Sequence, residues 1–331
     1  MKSLSLDIYN RIRKYVYLYA RHLDVARLRY LFEGGSAGEV AEALAVYQNA
    51  DGGFGYGIEP DCQNPNSQPV QFFWGAAEVL IEIGYDKPDN PIFKRFIEYI
   101  ENSTDITERG VCYTISSNNN YPCSFWYKFA PDDNRPAECN INSGIGIIFE
   151  NFHPDSAIYK KAIRIATYRL SVMRDVLKNS LGASDDIWQG LEPSDYASLI
   201  YELGKHGIYT EQECEDMYNR LLTIVKEYGT SRTYEMIAGQ INEKKINDNK
   251  VDAIEADSLD ALVDKLGDEN QPWFHYGRLR DGEEPTEKYL KLFHIGSLWW
   301  PIKDAINSLK TLKANGRLVL TGAEVLNPEK Q

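Results

Sequence analysis

The chain has 331 residues, with 49 Asp and Glu against 36 Lys and Arg, for a formal net charge of −13. That length suffices for a sizeable core in one large domain or two ordinary ones, and the acidic balance excludes sequence-independent nucleic-acid binding, which needs a basic face to displace counterions. No apolar run approaches the length of a membrane span, and the opening MKSLSLDIYNRIRKYVYLYARHL lacks the uninterrupted apolar segment of a secretion signal, so a cytoplasmic protein is expected.

Helical periodicity begins at once. Ile8, Ile12, Tyr15, Tyr19, Leu23 and Ala26 step by three or four and form one apolar stripe. Gly34-Gly35-Ser36 breaks it, and Ser36 with Glu39 has capping-box spacing at the head of the next helix. That helix runs into QNADGGFG, residues 48–55, and then into a loop rich in Pro and Asn over 59–69. Helices follow on Phe73, Ala77, Leu80 and Ile83, closed by Gly84, and after Pro91 on Phe93, Phe96, Ile97 and Ile100.

Residues 110–127 change character. Val111, Tyr113 and Ile115 alternate with polar positions, and 116–120 can turn the chain, which predicts a small β-hairpin or extended flap. Helical patterns resume over 143–152, at Ile158, Ala162, Ile165, Val172 and Val176, over 196–203, and at Met217, Leu221, Ile224 and Tyr228. Segment 242–257 is polar and aperiodic and is expected to be an exposed loop. A last helix is expected to start at Pro301, a favoured first-turn residue, and to close at Asn315-Gly316. The whole reads as one all-α domain over 1–331, of about ten helices.

One word recurs. Gly57-Ile58-Glu59-Pro60-Asp61 and Gly190-Leu191-Glu192-Pro193-Ser194-Asp195 share Gly-(Ile/Leu)-Glu-Pro with an acid just after, each near an aromatic residue and each leading to an apolar helix. Repeated helical hairpins that bury their faces by stacking account for this economically.

The glycine-rich stretch QNADGGFG is not a phosphate or calcium loop. It has no terminal Lys, no preceding strand and too few acids at alternating positions. It fits a joint between helices: glycines supply positive φ, the Gln48 amide reaches neighbouring helix ends, Asp51 accepts N–H bonds within the turn, and Phe54 packs under the next hairpin. Residues 48–55 resemble the Q-x-x-x-G-x-W repeat of the terpenoid cyclase and protein prenyltransferase superfamily, with Phe54 in place of Trp and Ala43 where a further aromatic belongs. Degenerate copies lie around Trp188-Gln189-Gly190 and at 272–277. The chain is also similar to small bacterial proteins carrying the longer word QNxDGGFGxG(L/I)EPD, a pattern to which no activity attaches. The resemblance implies an α/α toroid, with helical hairpins in two rings around a central cavity.

The chemistry the superfamily implies is only partly provided for. No DxDD or DDxxD motif occurs, since Ser184-Asp185-Asp186 keeps just the final pair. Five His, with no zinc-ligand spacing, argue for no metal site and no cofactor. What remains are acids in Gly- and Pro-rich loops: Glu59, Asp61, Asp186, Glu192 and Asp195, which could converge at one mouth of a cavity and act as an acid/base pair. Glu59 and Glu192 could equally cap the helices of their own repeats. Asp61 and Asp186 break the repeat's symmetry and are the sharper candidates.

With 22 Tyr, 12 Phe and 6 Trp, aromatic side chains either fill the core or line a cavity. Trp74, Trp126, Trp188, Trp273, His275, Tyr276 and Arg278 are the candidate substrate-binding residues, where a π wall could stabilise a carbocation or stack on sugars. Trp299 and Trp300 are adjacent and cannot share one helix face. The expected partner is a small molecule, apolar and isoprenoid-like or a carbohydrate, and the expected function is that of a cyclase-like enzyme. A carbohydrate-active hydrolase or lyase, or a binding module without catalysis, are the alternatives. The five Cys form no CxxC pair and read as reduced thiols, with Cys112 and Cys123 the pair to check.

Overall fold

The computed structural model describes residues 2–107, 110, 112, 114–124, 127–129, 142–181, 191–246, 256–268 and 287–318. Over these residues the protein is all-α, with isolated bridges in place of strands. The chain opens with α1 (Leu6–Tyr19), α2 (His22–Phe32) and α3 (Ala37–Ala45). The capping box read from Ser36 and Glu39 is present, each side chain bonding the other's backbone N–H. After the glycine-rich joint come α4 (Pro69–Gln71), a π-helical turn at Phe72–Ala76, α5 (Ala77–Glu82) and α6 (Pro91–Asn102). The second half holds α7 (Asn142–Asn151), α8 (Ala157–Leu181), α9 (Leu191–Lys205), α10 (Glu211–Tyr228), α11 (Ser231–Ile246), α12 (Ala256–Gly267) and α13 (Glu287–Ala314).

The helices from α7 to α11 stack regularly. Each touches the next in sequence and also the next but one, so α7, α9 and α11 form one row and α8 and α10 another. Two buried clusters result. The larger gathers the joint, α3 to α11 and the start of α2, through Leu23 and Ala26. The smaller gathers α1, α12, α13 and the far end of α2, through Leu28 and Phe32. Arg27 lies between them on α2, fully buried, with a two-pronged grip on Glu82 of α5 and a bond to Asn307 of α13.

The glycine-rich joint behaves as its composition dictates. Gln48 donates its side-chain amide to Gly52 O at 2.9 Å and to Ile92 O, in the first turn of α6, at 2.8 Å. Asp51 accepts from Gly53 N–H and from the Ser67 hydroxyl. Phe54 is fully buried against Phe72 and Phe96. Gly52 has φ +91°, and a Cβ there would fall 2.0 Å from Arg95 O, so only glycine fits.

One open expectation resolves and two change. The stretch 110–127 takes the extended form and not the hairpin over its described residues: a 3₁₀ turn at Ser116–Asn120 is flanked by extended Ile115 and Tyr121, and one bridge joins Cys123 to Cys62. Its bridge partner is the loop at 62, and Val111 and Tyr113 of the expected alternation lie outside the described residues. The last helix begins at Glu287, and Pro301 sits inside it, where it forgoes one backbone bond. The polar segment 242–257 is helical at both described ends, through Ile246 and from Ala256. Cys62, Cys112, Cys123 and Cys214 are thiols, so Cys112 and Cys123 do not pair.

Candidate acid pair at the loop of residues 57–62

The first copy of the repeated word is a tight loop after the joint. Arg21, at the head of α2, grips it from below, donating from Nη1 to Gly57 O at 2.9 Å and Ile58 O at 3.0 Å. The same guanidinium is paired in two-pronged fashion with Asp24, at 2.7 and 3.1 Å, and both residues are buried. An Arg can serve both partners because its planar fork presents five donors. Trp299 covers the guanidinium, with ring centroid and Cζ 5.0 Å apart.

From the other side, Gly75 lets the π-helical turn approach closely. A Cβ at that position would stand 3.0 Å from Ile58 Cγ2 and 3.5 Å from Glu59 N. Gln71, at the end of α4, accepts the Glu59 N–H at 3.1 Å. The loop then doubles back so that the Asp61 N–H bonds Glu59 Oε2 at 3.2 Å. The two acids of the word are thereby brought together, 4% and 5% exposed.

The third wall comes from α13. Trp300 donates its indole N–H to Asp61 Oδ1 at 2.7 Å. Lys303, one turn further on, lies buried with Nζ 5.2 Å from the Trp300 ring centre and 3.4 Å from Glu78 Oε2. Burial pushes the Glu59 carboxyl up from 4.5 to about 8, and the negative charge of Asp61 pushes in the same direction. The Lys303 charge, the Tyr127 hydroxyl and the Asp61 backbone N–H oppose this without cancelling it. Glu59 is thus drawn toward its protonated form beside an Asp61 carboxyl that accepts an indole N–H.

The other candidates fall elsewhere. Glu192 falls in the first turn of α9, where an acid suits the helix dipole, and Asp195 in the second. The second copy of the word is helical from Leu191 on, whereas the first is a loop, so Glu192 and Asp195 do not sit in a loop as expected. The side chain of Glu192 is outside the described residues, and Asp195 is half-buried on α9. Trp74 belongs to the π-helical turn, with its side chain outside the described set. Asp186, Trp126, Trp188, Trp273, His275, Tyr276 and Arg278 all lie outside the described residues.

Sequence reasoning passed over Arg21, Gln71 and Lys303. The signal for Lys303 was present in Trp300-Pro301-Ile302-Lys303, a spacing of three that puts Trp300 and Lys303 on one helical face. Gln71 carried no such signal, and Arg21 showed only its spacing of three from Asp24, since the loop each one holds is met through backbone groups distant in sequence.

A separate groove of about 910 Å³ opens beside the joint, lined by residues that include Asn49, Asp51, Tyr56, Asn66, Glu98 and Asp105. Neither Glu59 nor Asp61 lines it. Among the described residues no three His, Cys, Asp or Glu side chains gather as a metal site, and no helix is long and apolar enough to cross a membrane. No protein-family model, no curated protein and no solved structure matches the chain.

Proposed function

We propose that the protein is a terpenoid cyclase-like enzyme with the α/α-toroid arrangement, in which Glu59 is the general acid and Asp61 its ionised partner. One observation carries this reading: Glu59 and Asp61 share a buried loop fixed by Arg21, Gln71 and Trp300. A carboxylic acid that keeps its proton near neutrality is suited to protonate an alkene, epoxide or leaving-group oxygen. The nearby carboxylate would stabilise the positive charge that protonation creates. The two-row stacking of α7 to α11 supports hairpins arranged in two rings. Substrates of this reading are apolar or isoprenoid-like.

The test is a product screen by mass spectrometry with isoprenoid diphosphates, isoprenoid epoxides and oligosaccharides, run on the protein, Glu59→Gln and Asp61→Asn. Conversion of an isoprenoid that falls about a hundredfold or more in Glu59→Gln, the scale of a lost general acid, supports the reading. Conversion that survives in Glu59→Gln sinks the assigned role. Turnover of oligosaccharides alone moves the protein to the carbohydrate-active class, and binding without turnover leaves a recognition module.

A further inference from the structure

The loop that carries the acid pair is fastened to the neighbouring extended segment by two backbone hydrogen bonds: Gln63 N–H to Pro122 O at 2.9 Å and Ser124 N–H to Asp61 O at 2.8 Å. These bonds bracket Cys62 and Cys123, which are bridge partners in antiparallel orientation. The register makes them a non-hydrogen-bonded pair, whose Cα atoms stand about 4.5 Å apart with side chains on the same face. A disulfide closes from Cα separations of about 4.4–6.8 Å. The two sulfurs also share a neighbour, since Cys62 Sγ lies 3.5 Å from Asn118 Oδ1 and Cys123 Sγ lies 3.5 Å from Asn118 O. The backbone therefore already holds the arrangement that a cross-link requires, with both residues as thiols.

We propose that Cys62 and Cys123 are an oxidative cross-linking site, closed by a small-molecule disulfide of the glutathione class. Cys123, at 9% exposure against 0% for Cys62, is the point of entry. Its thiolate attacks the oxidant, forming a mixed disulfide and releasing one reduced thiol. Cys62 then attacks the Cys123 sulfur and releases the second. Two protein thiols give up two electrons and two protons, and the oxidant is reduced to two thiols. Burial pushes the Cys62 thiol up to about 12, so Cys62 does not begin the exchange; its attack on the mixed disulfide relies on the bridge holding it beside the Cys123 sulfur, and closure is slow. The product joins Cys62, next to Asp61, covalently to the segment that leads to Tyr127. The site stands on its own geometry, whatever the acid pair does.

The experiment uses the full, reduced chain incubated with glutathione disulfide, then acid quench, alkylation with N-ethylmaleimide, digestion and peptide mass spectrometry. The expected product is a linked pair of peptides containing Cys62 and Cys123, lighter by two hydrogens. In Cys62→Ser the glutathione adduct on Cys123 should accumulate, because nothing resolves it, and in Cys123→Ser the linked pair should vanish. Circular dichroism checks that each variant folds, and the chain unfolded in guanidinium shows that every thiol can react. Cys62 and Cys123 both remaining alkylatable in the folded chain at full glutathione oxidation would overturn the proposal. So would Cys123 linking to Cys112 or Cys139 instead.

Discussion

Trp300 and Asp61 lie 239 residues apart in sequence and meet through one hydrogen bond of 2.7 Å, indole N–H to carboxylate. That bond joins the last described helix to a loop in the first quarter of the chain. Replacing Trp300 with Phe keeps a ring on α13 and removes the donor. Bonds to charged groups contribute about 1.5–3 kcal/mol, and the half-buried indole sits at the lower end of that range. Urea unfolding should therefore show a loss of about 1.5 kcal/mol, and no loss at all would mean that the bond contributes nothing to stability.

Glu59 gives stability an unusual pH dependence. Its folded pKa, about 8, stands above the ordinary 4.5, so the unfolded chain releases this proton first. The contribution of Glu59 is fully present below pH 4.5 and is lost as pH rises through about 8. Glu59→Gln removes the titration. The variant should gain melting temperature relative to the parent at pH 8.5 and gain least at pH 4.5, which calorimetry at the two values would read. A gain independent of pH would show that Glu59 does not hold its proton.

Glu82 works with the opposite sign. Burial penalises its charge, but the two-pronged bond from Arg27 and the Lys310 ammonium at 3.0 Å outweigh that penalty and lower its pKa. Its contribution is present above the ordinary 4.5 and disappears as pH falls through the lowered value. Glu82→Gln should flatten the acid limb of the unfolding curve, and an unchanged acid limb would assign acid sensitivity to other carboxyls.

Arg21 and Asp24 form a buried pair, and removing one charge strands the other. Arg21→Met should cost about 3–5 kcal/mol, the usual penalty for an uncompensated buried charge. It also releases Gly57 O and Ile58 O from their donor. The double change Arg21→Met with Asp24→Leu should recover much of the loss in denaturant melts. A double variant as unstable as the single one would place the cost in the loop carbonyls.

Gly52 tolerates no side chain. Gly52→Ala combines a φ of +91° with a Cβ 2.0 Å from Arg95 O, and the joint must open to admit it. A loss of about 1–3 kcal/mol from backbone strain alone is expected, with more from the clash. Gly34, with φ +74° but open space around its Cβ position, is the control that isolates the strain.

Local grammar was legible in the sequence, and distant partners were not. The capping box at Ser36 and the roles of Gln48, Asp51 and Phe54 in the joint follow from interactions a few residues long or from the needs of a helix end. The acid at Glu59 was legible as a candidate because its loop is short and polar within an apolar setting. The grip of Arg21 and the approach of α13 were hidden, because a guanidinium bonding backbone carbonyls leaves no pattern in the side chains it meets. Pro301 misled for a related reason. Proline usually marks a first turn, yet α13 has enough partners in α2 and α12 to carry a proline in its interior. The likeness of the two Gly-(Ile/Leu)-Glu-Pro words misled because four residues do not fix a backbone: Pro193 falls inside the first turn of α9, while Pro60 falls in a loop.

The dependence of the acid loop on α13 also sets an order of events during synthesis. Residues 57–61 emerge from the ribosome long before residue 300 does, so Asp61 gains its indole donor only after the rest of its loop has been made. The last wall around the two carboxyls closes only when the final helix docks. The helical stack of α7 to α11 can assemble before it with no buried acid pair to accommodate.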